Sequence, residues 1–497
     1  MLPANVALRS ELAELDIDIS DLQTRLAEKQ AQRGQLQQQL DSITYHVLSL
    51  PPEIVSKIFI LCLPTWSRPL DSIDLKHAPL LVSHICSQWR RIALSTPALW
   101  KDSLDICMCL RRKQATNITE TWVARAQSCP LSVKIQGPMD LVKRAGVSEV
   151  FRHVALGVQS LELDIFEEDL VKMPEPLEFP LLRKLTMCVC GGDEVELLDD
   201  LVQTFDDVPQ LSQVVLDHLP AHAIALPWEQ LQKFTGKFYL LDKCLDALRF
   251  MPNLVECAFS MLETVVAENY EIFSHPHIRT LTLFQSMDFK DEEDAQVDIP
   301  RSAQLLAFIT LPNLETLELL DIEDCNAEIL ASFLSRGSPP LKRLVLRPHF
   351  DHGQAELLLS TAPLLQPQFT DLEIHFPSKD FVSRFFERFG CDSGFLPGLQ
   401  KLSVICRKHW SKEASRDDLL DAAALPLASR WDLHGDNKLR VFRAIAVERQ
   451  RSKRKTPVPL QRLRQEGMDV VIGSRRPRAY GEFCPPEYRD SSSSSEI

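Results

Sequence analysis

The sequence predicts a mixed α/β chain, helical at its N-terminus and then built over most of its length from a short strand followed by a helix, many times over. Three observations carry this. Apolar residues at Leu8, Leu12, Leu15, Ile19, Leu22 and Leu26 step alternately by four and three. Two prolines, Pro51 and Pro52, open a short helix that is apolar on two faces. From Val158 onward an apolar residue, two others, an apolar residue, one other and an apolar residue recur eleven times, at starts 20 to 40 residues apart. The expected divisions are a coiled-coil stem over 1–43, a small helical domain over 44–104, a repeat array over 105–474 and a disordered tail over 475–497.

In the stem the seam resumes at Leu36, Leu40, Ile43 and Val47 after a break where Lys29 and Arg33 take core positions and Gly34 weakens the helix. Such a stem can pair with a second chain, fold back at Gly34, or stand as a single frayed helix. An oligomer through the stem is one of the expectations.

The helical domain opens at "SLPPEIVSKIFILCLP", Ser49 to Pro64. The first turn of a helix needs no intrahelical N–H donors, so prolines fit there, and Glu53 complements its positive end. At helical spacing Ile54, Ile58 and Leu61 share one face while Val55, Phe59 and Cys62 share the adjoining one. One face can pack within the domain, and the other needs cover. After a polar linker, "PLLVSHICSQWRRIALSTPALWKDSL" implies two more helices, with Val82, Cys86 and Trp89 stepping along one face, and Leu99 and Trp100 as closing anchors after Pro97.

Taken together, "LPPEIVSKIF", "VSHICSQWRRIA" and "STPALW" resemble the F-box, in the arrangement common among fungal proteins. The resemblance implies a three-helix module that docks on the Skp-type adaptor, and through it the cullin, of an SCF-type ubiquitin ligase. Carried over by match, Leu50 and Pro51 would form the leading wedge, and Ile54, Ile58, Val82 and Trp89 would supply the contact surface or hold it in shape.

The repeats read "VQSLEL" at Val158, "LRKLTM" at Leu182, "LSQVVL" at Leu211, "LQKFTG" at Leu231, "LVECAF" at Leu254 and "IRTLTL" at Ile278. They continue as "LETLEL" at Leu314, "LKRLVL" at Leu341, "FTDLEI" at Phe369, "LQKLSV" at Leu399 and "LRVFRA" at Leu439. A proline precedes most of them by one or two residues. "LQRLRQEGMDVVIGS" adds a last helix, a glycine stop and a final strand. The pattern resembles an irregular leucine-rich repeat, which implies a stacked α/β solenoid with one strand-lined face. The asparagine that normally follows the third apolar position is absent, so other contacts must hold the turn. On that face Glu315, Glu318, Lys342 and Arg343 occupy gap positions that point outward, and they are the expected contacts to an unknown protein substrate.

The 13 cysteines are scattered without zinc-ligand spacing and read as buried thiols of a reducing compartment. Apolar runs are too short to cross a bilayer, which points to a soluble protein of the cytoplasm, the nucleus or both. The "NIT" sequon at Asn117 reads as chance. Residues 438–478 hold 13 basic and 3 acidic side chains, a net of +10, so the rest of the chain carries −24 of the total −14. Within that basic end "RQRSKRK", Arg449 to Lys455, has the composition of a nuclear import signal or an anion-binding patch; the acidic loops near Asp193 and Asp291 could attract a basic partner.

No phosphate-cradling glycine loop, HExxH, nucleophile elbow or paired metal-ligand spacing is present, so no catalytic, metal or cofactor-binding residue is expected, and no nucleic-acid partner. The function expected from the resemblances is a non-catalytic one: the F-box engages the ligase adaptor and the array holds a target for ubiquitin transfer by other subunits. A scaffold that uses both surfaces without ubiquitination is the alternative.

Overall fold

A computed structural model describes residues 2–42, 46–64, 75–102, 104–107, 112–137, 144–166, 170, 173, 177–190, 202–261, 270–284, 302–320, 327–347, 358, 360–365, 368–407, 413–433, 439–447 and 456–475. Most of the linker after Pro64, both acidic loops, "RQRSKRK" and the serine-rich tail lie outside the described residues. The protein is a mixed α/β chain with a long N-terminal helix and a large parallel sheet.

The first helix, α1 (Leu2–Ser42), is continuous. It runs through Gly34 without a turn, so among the described residues the seam does not fold back there; a Cβ at Gly34 would meet nothing within 4 Å. Leu12, Leu15, Ile19, Leu22, Leu26 and Leu36 are all exposed.

Three short helices follow: α2 (Pro52–Leu61), α3 (Leu80–Ile85) and α4 (Ser87–Leu94), closed by a 3-10 turn at Pro97–Leu99. Pro51 is the N-cap of α2 and Pro52 its first residue, and the Pro51 carbonyl accepts from the N–H groups of Ile54 (3.0 Å) and Val55 (3.1 Å). The prolines therefore sit where the missing N–H costs nothing. One expectation fails here. Val82, Cys86 and Trp89 do not share a helical face, because Cys86 is extended (φ −154°, ψ 168°) and divides α3 from α4. Its Sγ instead accepts from Trp89 N at 3.4 Å and caps α4.

Trp100 is fully buried, donates from Nε1 to Ala93 O (2.9 Å), and meets Trp122 of α5 (Arg112–Ala126) edge-on at 5.1 Å. Arg125 lies over its ring at 4.3 Å. The anchor that closes the helical domain thus also ties it to the first helix of the sheet region.

Among the described residues the sheet has fourteen parallel strands whose spatial order is their chain order. They are β1 (Leu104–Cys107), β2 (Leu131–Gln136), β3 (Val158–Phe166), β4 (Lys184–Cys190), β5 (Gln213–Asp217), β6 (Lys233–Tyr239), β7 (Glu256–Met261), β9 (Thr280–Phe284), β11 (Thr316–Leu320), β12 (Arg343–Arg347), β13 (Asp371–His375), β14 (Lys401–Arg407), β15 (Val441–Val447) and β16 (Asp469–Arg475). Two further short strands, β8 (Phe273–Ser274) and β10 (Ile309–Thr310), pair with each other. Each of the eleven repeats forms one strand of the large sheet, and β1, β2 and β16 extend it at its two ends.

Register explains the pattern. Leu281, Leu317, Leu344, Leu372 and Leu402 are directly paired neighbours from β9 to β14, all buried on one side of the sheet. The leading apolar residue of each repeat packs below the strand start; Ile278, Leu314 and Leu341 are buried. Helices in the intervals supply the other layer: Leu241–Phe250 buries Cys244, Leu245 and Leu248, and Lys379–Cys391 buries five residues including Phe381, Phe385 and Phe389.

The turns leading into the strands are held by hydrogen bonds to the previous repeat. The Glu315 carbonyl accepts from both Lys342 N (2.8 Å) and Arg343 N (3.0 Å), and Arg279 O does the same for Glu315 and Thr316. Side chains add a second row: Gln230 Nε2 donates to Val208 O (2.7 Å), Asn253 Nδ2 to Glu229 O (2.9 Å) and Asn313 Nδ2 to Pro276 O (2.8 Å), while His277 Nδ1 lies 2.9 Å from Pro252 O. Amide side chains therefore do hold the turns, at the strand start and not after the third apolar position.

At the C-terminal end, Lys379–Cys391 packs on Arg416–Leu433, where a Cβ at Gly390 would stand 2.8 Å from Pro426 Cβ. Helix Val458–Gln465 stops at Gly467 (φ +104°), a conformation that favours glycine, and β16 follows.

Candidate functional site

Two surfaces are candidates, the uncovered side of α2 and the outward side of the sheet. On α2 the chain itself separates the two apolar faces. Val55 and Phe59 are 2% and 1% exposed and join the core, whereas Ile54, Ile58 and Leu61 are 44%, 40% and 85% exposed. Cys62 is exposed as well, so the inward face is narrower than the spacing predicts. On α3, Leu81 and Ile85 are exposed one turn apart, while Val82 is buried.

The expected adaptor residues fall into two sets. Leu50 is half-buried against the core, Val82 is inside it, and Trp89 is half-buried with its ring 5.0 Å from Phe59, so these three support the surface. Pro51, Ile54 and Ile58 are exposed and form part of the surface itself. The Trp89 Nε1 hydrogen is buried and has no acceptor among the described residues. Leu81 and Ile85 are not among the expected adaptor residues, although their i, i+4 spacing stands in "PLLVSHIC". The start of the domain is held by Gln88 Nε2, which donates to Leu48 O at 2.9 Å.

On the sheet, strand alternation turns Thr316, Glu318 and Leu320 outward while Leu317 and Leu319 are buried. Glu315 and Lys342 lie at the strand starts and pair at 2.7 Å, with Arg279 3.5 Å from Glu315. Arg343 bridges Asp371 and Glu373, both at 2.8 Å, and Lys401 reaches Asp371 at 2.6 Å. His375 lies 2.8 Å from Glu373. Thr282 donates to Glu318 at 3.3 Å. Of the four expected contact residues, Glu318 and Arg343 lie on the outward side of the sheet and Glu315 and Lys342 at the strand starts, and none stands alone. Neighbouring parallel strands lie about 4.8 Å apart, so opposite charges at equivalent positions pair sideways.

The electrostatics follow from these partners. Burial works against the Glu373 carboxylate, but His375 and Arg343 outweigh it and hold its pKa down to about 2. Glu315 is held below its ordinary value chiefly by the hydrogen bond from Lys342. Glu318 is raised by burial, which Arg343 and Thr282 only partly offset. Further along, burial opposes ionisation of Asp217, yet His218 and Lys237 hold its pKa down; Lys237 Nζ lies 3.3 Å from the carboxylate with both side chains buried. Ala258, Phe284, Leu320 and Val345 form a separate buried apolar cluster on the same outward side.

Among the described residues no group of three or more His, Cys, Asp or Glu side chains could hold a metal ion, and no helix is long and apolar enough to cross a membrane. Asn117 lies in α5, where its carbonyl accepts from Thr121 Oγ1 at 2.6 Å. No protein-family model matches the chain, and no curated protein matches it.

Proposed function

We propose that this chain is the substrate-recognition subunit of an SCF-type cullin-RING ubiquitin ligase. Its helical domain is read as an F-box that docks on the Skp-type adaptor, and its strand-and-helix region as a leucine-rich-repeat-like solenoid that holds a target protein. The observation that carries the reading is the division of α2: Val55 and Phe59 pack inward while Ile54, Ile58 and Leu61 remain uncovered directly after the "LPPE" turn. An aliphatic surface kept outside by a helix that already has a core is what a dedicated partner would cover. Consecutive parallel strands in chain order support the solenoid reading.

The test is co-purification of the full chain with the adaptor and cullin, followed by reconstituted ubiquitin transfer to whatever protein the chain captures. Adaptor binding with transfer supports the proposal. Adaptor binding without transfer to any captured protein favours a scaffold, and no adaptor binding refutes the F-box reading.

A further inference from the structure

α1 leaves its seam uncovered, and its charges indicate what covers it. The exposed leucines and Ile19 lie along one unbroken helix, so the partner is not the same helix turned back at Gly34. Lys29 and Arg33 stand in that seam and are exposed; Lys29 donates to Gln32 Oε1 at 3.2 Å within its own helix. The helix is also polarised. From Leu8 to Leu22 it carries Arg9 against Glu11, Glu14, Asp16, Asp18 and Asp21, whereas from Gln23 to Gly34 it carries Arg25, Lys29 and Arg33 against Glu28.

A parallel, in-register pair would set Lys29 against its own copy and Arg33 against its own copy in the seam, and Glu11 against Asp16 along its edge. Each such contact is repulsive, and the first two also remove charge from water. We propose that two copies of this chain pair antiparallel through α1, about a two-fold axis at Thr24. Leu12 then faces Leu36, and Leu22 faces Leu26. Leu15 faces Arg33 and Ile19 faces Lys29, so both cations enter the other copy's acidic half, where Asp16 and Asp18 flank the seam. Every layer joins one class of seam position to the other, as antiparallel packing requires. The pairing overlaps residues 6–42 of each helix, about 55 Å, and sends the two sheet regions to opposite ends.

This inference does not rest on the ligase reading. Its test is the full chain carrying a spin label on a ketone-bearing residue, which avoids the native thiols, placed at Ser10 in one preparation and at Thr24 in another. Pulsed dipolar spectroscopy should then give a Ser10–Ser10 separation longer than the Thr24–Thr24 separation by about 20 Å or more, because Ser10 lies about 20 Å along the helix from the axis on each chain. Equal separations mean a parallel pair and overturn the proposal. A monomeric mass by light scattering, with no dipolar coupling at either position, overturns it as well.

Discussion

Removing the exposed aliphatics of α2 tests the proposed adaptor surface most directly. Full burial of an isoleucine or leucine is worth about 1.5–3 kcal/mol. With Ile54 and Ile58 44% and 40% exposed, a partner that covers them gains about 0.6–1.3 kcal/mol from each, and Leu61, at 85%, adds about 1.3–2.5 kcal/mol. The triple substitution Ile54→Ser, Ile58→Ser, Leu61→Ser should therefore weaken adaptor binding by about 2.5–5 kcal/mol, roughly 10²- to 10⁴-fold. Stability should fall by about 2–4 kcal/mol, because on the same accounting more than half of Ile54 and of Ile58 is already packed against the protein itself. Phe59→Ala is the contrast: buried against Trp89 at 5.0 Å, it should cost about 3–5 kcal/mol of folding stability. Titration calorimetry against purified adaptor and thermal unfolding of each variant give both numbers. Wild-type affinity in a triple variant that still folds would refute the assignment of that face. A triple variant that loses more stability than Phe59→Ala would show that the face is core and not surface.

Three further outcomes follow from the packing and the charges. Gly390→Ala should destabilise by about 1–3 kcal/mol in denaturant titration, despite alanine's better helix propensity, because its Cβ would stand 2.8 Å from Pro426 Cβ and 3.0 Å from Pro426 Cα. Glu373, held at about 2 against an ordinary 4.5, contributes stability that is present above pH 4.5 and lost as pH falls from there toward 2, at most about 3 kcal/mol. Glu318, raised by burial, works in the opposite sense, so Glu373→Gln should flatten the acid limb of the stability curve and Glu318→Gln should not. Replacing the Glu315–Lys342 pair by Glu315→Gln with Lys342→Gln should leave unfolding within about 1 kcal/mol, as for other surface ion pairs, while capture of a target that uses this face is lost.

The strands were legible because a parallel sheet buried on one side repeats the same three apolar positions in every unit, as Leu314, Leu317 and Leu319 do. β1 and β2 escaped because Lys101 and Pro130 occupy the leading apolar place, although Leu104 and Ile106, then Val133 and Ile135, are buried like their counterparts. The amide row stands in "MPNLVE" and "LPNLETLEL", ahead of the strand, whereas the leucine-rich pattern places its asparagine after the third apolar position. Cys86 is harder. Neither proline nor glycine marks the break between α3 and α4, and only the Sγ cap and the extended backbone reveal it. On α2 the spacing showed two apolar faces but not which one turns inward, because Ile, Val and Phe share the same chemistry until the neighbours are placed.

The outward charges were legible as charges and not as pairs, and the difference changes how a target could be read. Arg343 spends its donors on Asp371 and Glu373, and Glu318 is half-buried, so reversing either one sets like charges together within the sheet before any partner arrives. Alternating signs from Arg343 to Lys401 also leave little net field on that stretch. The Ala258, Phe284, Leu320 and Val345 cluster is already buried and offers no free apolar area. If a target docks on this region as proposed, selectivity falls to the strand starts, where Glu315, Lys342 and Arg279 keep part of their side chains in water and follow the register of successive strands. A protein docking there must match the spacing of the strands more than any single charge, and that is why the paired neutral substitutions at Glu315 and Lys342, which spare the fold, are more informative than reversal of all four positions.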